Sequence, residues 1–376
     1  MADPRPFKHR LGADAVTLLA AGIRTGTPGF PSEAFVAAVT PGLAPLELKD
    51  RVNHVATVLR AHLPASWPEA VAALLAGLPP ALSGTEEVSG GFLLWPVLTC
   101  VELYGLDHPG ISLAALREMT RRFSAEFAVR PYLERHPDLT LSTLAGWVED
   151  ADPHVRRLVS EGTRPRLPWG RRLAALQADP SIALAFLDRL VDDPELYVRR
   201  SVANHLGDIA KDHPDIAVRT AQRWMTAPTP QREWVVRHGL RAMVKAGHPG
   251  ALGILGFHPA TVEVGAVTVR PARVAIGGTF TLSATLRQAG SPQTGSASQR
   301  VVVDYAIVYA RPSGRGARKV FKGAVLSLEP GVWVTWSTRH ALRDVSIRTH
   351  HPGVHTVELM VQGEVVGRAP VDVVRG

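Results

Sequence analysis

The chain has 376 residues, 45% hydrophobic and 20% charged, which is too long and too apolar for a disordered or fibrous polymer and enough for two or three packed domains. The net charge of +8 is uneven: residues 260–376 hold 14 Lys and Arg against 7 Asp and Glu, while residues 1–259 hold 28 against 27. A basic module joined to a nearly neutral one points to a polyanionic partner such as nucleic acid, although the dominance of Arg over Lys also fits GC-rich coding.

No apolar run approaches the roughly 18 residues of a membrane-spanning helix, and the opening MADPRPFKHR lacks the apolar stretch of a secretory signal. Cys100 is the single cysteine, so no internal disulfide or cysteine-based zinc site can form. These features predict a cytoplasmic protein without a membrane partner.

To about Gly256 the period is helical, as in LELKDRVNHVATVLRAHL (46–63), with short segments punctuated by Pro and Gly. From Val262 the texture turns to alternating β-branched runs: VTVRP (267–271), TFTLSATL (279–286), VVVDYAIVYA (301–310), VWVTWS (332–337) and VHTVELMVQ (354–362). About seven short strands fit a small immunoglobulin-like β-sandwich, and QAGSPQTGSASQR (288–300) reads as a mobile loop. The predicted class is α then β, with helical residues 1–258 followed by a sandwich at 259–376.

The helical part repeats. DPHVRR (152–157) returns as DPELYVRR (193–200) and more weakly as EWVVRHGLR (233–241), with Val155, Val198 and Val235 spaced by 43 and 37 residues. That interval suits two-helix HEAT units, in which Asp-Pro starts a helix and the Val packs inward, so the expected architecture is an α-solenoid. The recurring Arg pairs either line a binding face or cap and solvate the helices.

Four segments are unusually polar for a solenoid: MTRRFSAEFAVRPYL (119–133), HVRRLVSEGTRPRLPWG (154–170), YVRRSVANHLGDIAKDHP (197–214) and EWVVRHGLRAMVKAG (233–247). With LKDRV (48–52), they resemble the AlkC group of bacterial DNA alkylation-repair glycosylases, built from HEAT-like repeats, some with a C-terminal immunoglobulin-like domain. The resemblance implies excision of N3-alkylated bases, chiefly 3-methyladenine and 3-methylcytosine, from duplex DNA without extruding the base, in contrast to the usual flipping strategy. Such a base is already cationic and needs no protonation to leave. Stabilising an oxocarbenium-like sugar and placing a water remain, which are tasks for carboxylates.

Glu126 and Glu161 stand at the positions the resemblance gives to the active-site acids, and Asp208 is a third candidate catalytic residue. Spacing also allows plain ion pairs: Glu161 with Arg157, Glu126 with Arg122 or Arg130, Asp208 with Lys211 or Arg200. Candidate DNA contacts are Arg157, Arg164, Arg166, Arg200, Lys211, Arg237 and Arg241, with Asn204 and with Trp169 packed on a sugar or beside the damaged nucleotide. In the basic module the densest cluster is Arg318, Lys319 and Lys322, predicted on a loop or strand end and suited to clamping a duplex. No phosphate loop, HExxH helix or nucleophile elbow occurs, so neither metal nor cofactor is expected, and the chain is expected to act as a monomer. The competing reading is a non-catalytic HEAT scaffold that binds DNA or protein.

Overall fold

A computed structural model describes residues 7–85, 90–289, 298–311, 316–343 and 349–375. The helices run α1 Ala13–Gly26, α2 Ser32–Leu43, α3 Leu48–His62, α4 Trp67–Ala76, α5 Trp95–Tyr104, α6 Pro109–Thr120, α7 Arg130–Arg135 and α8 Pro137–Trp147. They continue as α9 Pro153–Gly162, α10 Ala174–Ala178, α11 Ser181–Leu190, α12 Leu196–Asp212, α13 Pro214–Trp224, α14 Pro230–Gly239, α15 Arg241–Lys245 and α16 Pro249–Ile254. Proline opens six of them (α6, α8, α9, α13, α14 and α16), where its missing N–H is no loss and its fixed φ suits the first turn.

The repeat is HEAT-like, and its residues do what the period requires. Val155, Val198 and Val235 are completely buried. Asp152 caps α9 by accepting from the His154 amide at 2.8 Å, and Asp193 accepts from the Glu195 amide at 2.9 Å just ahead of α12. The same aspartates join successive repeats: Arg121 Nε donates to Asp152 at 2.9 Å and Arg156 Nε to Asp193 at 2.6 Å. Arg156 also donates to the Asp150 and Ala151 carbonyls just ahead of its Asp-Pro pair, and Arg199 to the Pro194 carbonyl of its own. The first Arg of each pair is therefore a turn fastener.

Packing divides the chain into two compact units, residues 1–212 with 229–238, and residues 213–228 with 239–376. Helix gives way to strand between Ile254 and Val262, and the last helices group with the strands.

The strands are β1 Val262–Val264, β2 Thr268–Arg270, β3 Arg273–Ala275, β4 Thr279–Gln288, β5 Gln299–Tyr309, β6 Ala317–Leu328, β7 Val334–Ala341, β8 Gly353–Val361 and β9 Glu364–Val374. β4 pairs with β1, β2 and β7 in one sheet; the other has the order β3-β9-β8-β5-β6, antiparallel except for β3 with β9. Phe280, Leu282, Ala284 and Leu286 alternate inward on β4 and meet Val303, Tyr305 and Ile307 of β5 in one core, giving the immunoglobulin-like sandwich. Among the described residues nine strands stand where about seven are expected, because β1 and β3 are short and β6 and β9 carry charges that mask their alternation. The ends of the expected 288–300 loop belong to β4 and β5, and residues 290–297 lie outside the described residues.

Arg318 and Lys319 lie at the start of β6, as the strand-end alternative has it, and Lys322 lies further along this edge strand. Lysines on an exposed edge block pairing with another sheet, which is why so polar a segment is stable as a strand there.

Candidate active site

The three candidate acids converge. They come from the turn before α7, the end of α9 and the middle of α12, and they are linked by two arginines. Arg157 Nη1 donates to Glu126 Oε2 at 2.9 Å, and its Nη2 lies 3.5 Å from Glu161 Oε1. Arg164 Nη1 donates to Glu161 Oε1 at 2.7 Å and its Nε to Asp208 Oδ2 at 2.8 Å. Lys211 closes the row on Asp208 Oδ1 at 2.9 Å.

Of the ion pairs that spacing allowed, two form: Glu161 with Arg157 and Asp208 with Lys211. Glu126 pairs with neither Arg122, which turns to Glu118, nor Arg130, which binds carbonyls.

The acids differ in what they leave open. Both oxygens of Glu161 are occupied, Oε2 by the Ser201 hydroxyl at 2.6 Å, and both oxygens of Asp208 are paired. Glu126 uses only Oε2, for Arg157 and for the Ser124 hydroxyl at 2.8 Å; among the described residues Oε1 has no hydrogen-bond partner, and the side chain is 17% exposed. Burial would raise the Glu161 pKa, but Arg157, Arg164 and the Ser201 hydroxyl outweigh it and hold the pKa below the usual value. Burial likewise disfavours the charge of Arg157, yet Glu161 and Glu126 push its pKa up. The result is a fixed anion, Glu161, behind a partly open one, Glu126.

Three residues outside the predicted site set, Ser201, His205 and Arg130, build this arrangement. Ser201, His205 and Asp208 share one face of α12, at the i, i+4, i+7 spacing that the sequence displays. Ser201 donates to Glu161, and His205 Nδ1 bonds the Ser160 carbonyl at 3.0 Å. Arg130, wholly buried, donates from Nη1 to the carbonyls of Gly162 at 2.8 Å and Arg164 at 2.9 Å, and from Nε to Arg171 at 2.9 Å. It thereby ties both ends of the segment that bears Arg164, Arg166 and Trp169. Burial pulls its pKa down to about 10. At Gly162 even a Cβ would come within 2.6 Å of Val129, so this approach of α9 to the Glu126 segment requires glycine.

The candidate DNA contacts fall into two groups. Arg157, Arg164 and Arg166 are held by carboxylates, Arg166 by Asp212, and Arg164 is buried. Arg200 and Arg237 are exposed and have no ion-pair partner among the described residues. Asn204 meets His238 at 3.3 Å, and His238 stacks on Trp234. Trp169 is 66% exposed, with its backbone in the left-handed region at φ 64°. In the other unit, Arg318 is bound to Glu358 at 2.7 Å, while Lys319 and Lys322 are exposed and Arg241 is on the surface. Among the described residues no group of three or more His, Cys, Asp or Glu is arranged to hold a metal ion, and no helix is long and apolar enough to cross a membrane.

Comparison with known proteins agrees with this architecture. Residues 263–375 match the family described as the C-terminal Ig-like domain of the uncharacterised protein YhaZ. The chain is 33% identical over 367 residues to YhaZ of Bacillus subtilis strain 168, covering 97% of this chain and 98% of that protein. It is also similar to Pseudomonas fluorescens AlkC, an alkylpurine DNA glycosylase solved bound to DNA containing an abasic site analog, with a TM-score of 0.89 and 36% identity over 98% of this chain and all of that one. The chain belongs to the AlkC family.

Proposed function

We propose that this chain is a DNA glycosylase that excises cationic N3-alkylated bases, 3-methyladenine and 3-methylcytosine, from duplex DNA without flipping them. The observation that carries the reading is the open Oε1 of Glu126, held beside the buried Glu161 anion by a shared arginine. The similarity to AlkC supports the reaction class. A positively charged base breaks its glycosidic bond with little help, and it leaves neutral, taking the bonding electron pair that cancels its charge. Water forms the new bond to C1′ and gives its proton to Glu126. Glu161 stabilises the cationic sugar through space, and Asp208 keeps Arg164 in place.

Phosphates are held by the side chains without carboxylate partners, Arg200 and Arg237, and in the basic unit by Lys319 and Lys322; Trp169 flanks the damaged nucleotide. The test is incubation with methylated duplex DNA and analysis of the bases released. Release of 3-methyladenine or 3-methylcytosine, strongly slowed in Glu126→Gln, is the expected result. DNA binding without any release would favour the scaffold reading instead.

A further inference from the structure

We propose that Lys49 is a positioning residue that sets the Trp169 loop before DNA arrives, a role that rests on the glycosylase reading above. Lys49 lies on α3, 120 residues from the loop, and its ammonium donates to the Trp169 carbonyl. The same ammonium sits 5.8 Å from the ring centroid of Phe127, the neighbour of Glu126, and Phe127 stacks on Trp95 at 5.5 Å. Lys49 thus joins the exposed tryptophan to the segment that carries the open carboxylate. Between them is a cavity of about 230 Å³, lined in part by Lys49, Trp95, Phe127 and Trp169, so the loop tip rests on few atoms.

Trp169 needs such a hold. Its φ of 64° lies in the region that large L residues rarely adopt, and two-thirds of the side chain faces solvent, so burial does not fix it. Arg130 pins the loop at Arg164 and Arg171, but the tip lies between these anchors. Lys49 holds the tip by its backbone and leaves the indole ring free to act. The one hydrogen bond from this ammonium goes to the Trp169 carbonyl, so Lys49 is assigned to act through Trp169, and the salt dependence of binding tests this against a phosphate contact.

The experiment uses the full chain with Lys49→Met, Lys49→Arg, Trp169→Ala and the Lys49→Met/Trp169→Ala double variant. In the free protein, amide hydrogen exchange over 165–171 should quicken in Lys49→Met and return towards wild type in Lys49→Arg. Single-turnover release from methylated duplex DNA should slow by roughly ten- to a hundredfold in Lys49→Met, the range expected when a contact is misplaced. The double variant should be no slower than Trp169→Ala alone, because the lysine works through the tryptophan. The salt dependence of DNA binding should keep its wild-type slope. Wild-type exchange or wild-type release in Lys49→Met, or additive losses in the double variant, would overturn the proposal. A slope reduced by about one unit would make Lys49 a phosphate contact and overturn it too. If the wild-type chain released no base, the glycosylase reading would fall, and the exchange data would still decide whether Lys49 holds the loop.

Discussion

Arg157 Nη1 and Glu126 Oε2 meet at 2.9 Å across 31 residues of sequence, and the bond engages one carboxylate oxygen while leaving its twin open. Glu161, with both oxygens bound and the side chain buried, has a different job on the same guanidinium. Glu126→Gln retains an oxygen for Arg157 and loses the charge, so the fold should stand while base release slows by about 10²–10³, the usual cost of removing one preorganised electrostatic contact. Glu161→Gln should slow release and also lower the melting temperature, because an amide NH₂ must face Arg164 or the Ser201 hydroxyl. Thermal unfolding beside single-turnover release separates the two; equal destabilisation by both variants would contradict this division of labour.

Arg164 and Arg166 stand two residues apart but should respond unequally to truncation. Arg164→Ala removes one charged hydrogen bond from each of two buried carboxylates, Glu161 and Asp208, which keep Arg157 with Ser201 and Lys211, and each bond lost typically costs about 1.5–3 kcal/mol. Arg166→Ala removes a pair with Asp212 that is partly exposed on both sides, so a much smaller loss is expected. Urea unfolding of the two variants is the check.

Arg200 and Arg237 are the arginines of unit one, among the candidates, that lack a carboxylate partner among the described residues, and both are exposed. Each alanine variant should weaken DNA binding and lower the log–log salt slope by about 0.9, the effect of one phosphate contact on duplex DNA. Arg156→Ala, which removes a turn fastener, should reduce stability and leave the slope unchanged. Binding isotherms from about 50 to 200 mM salt would show whether the slopes divide in this way.

Much of this was legible in the residues because it followed from local rules. Asp-Pro before a helix, an inward Val every 37 to 43 residues and the alternation of β4 need only backbone geometry. Glu126 and Glu161 are singled out as acids only by the family resemblance, since spacing by itself favours ordinary ion pairs, and the structure brings both onto Arg157. Which arginine pairs with which acid was not legible. The i±4 rule offered Arg122 and Arg130 to Glu126, while the fold brings Arg157 from the next repeat. Arg130 and Lys49 were hidden for a related reason: each binds backbone carbonyls, and carbonyl acceptors carry no sequence signature. The charge of β6 hid a strand because edge strands favour lysine.

His205 gives the helical unit an acid-sensitive point. Buried completely, with Nδ1 on the Ser160 carbonyl, it has its pKa pushed down to about 4 by burial and by Arg164. The unfolded chain protonates this histidine near its ordinary value of about 6.5, so between the two values the unfolded state binds more protons and stability falls as pH drops. The stabilisation is intact above about pH 6.5, and about 3 kcal/mol is lost once pH reaches 4, from a shift of about 2.5 units. Glu161, whose pKa lies below the ordinary carboxylate value, adds a loss of the same sign in a more acid window, below about pH 4.5. Urea unfolding of wild type and His205→Gln between pH 7 and 4.5 should show a flatter dependence in the variant.

The last helices are fastened to the strands through two glycines in the same compact unit. Gly247, just after α15, has φ 74°, and Gly363, in the turn between β8 and β9, has φ 88°. A Cβ on Gly363 would lie 2.2 Å from the Gly247 Cα, so the backbones touch with no room for a side chain. Leu252 and Phe257 pack with Val302 of β5, and Gln362 Nε2 donates to the His258 carbonyl at 3.0 Å. A chain cut after Phe257 would therefore keep every named helix but expose Leu252 and Phe257 and leave the last helices without the strands they pack on. Gly256 supplies the control, since its φ of 76° is similar and a methyl group there would meet nothing within 4 Å. Gly256→Ala should cost about 1 kcal/mol, from the left-handed backbone alone. Gly363→Ala should cost about 1–3 kcal/mol more, because the clash is with main chain that cannot rotate away. Thermal unfolding of the two full-length variants measures the difference, and hydrogen exchange over 242–255 should quicken only in Gly363→Ala. Equal melting temperatures would mean that the turn can shift at no cost and that the helices are not anchored through it.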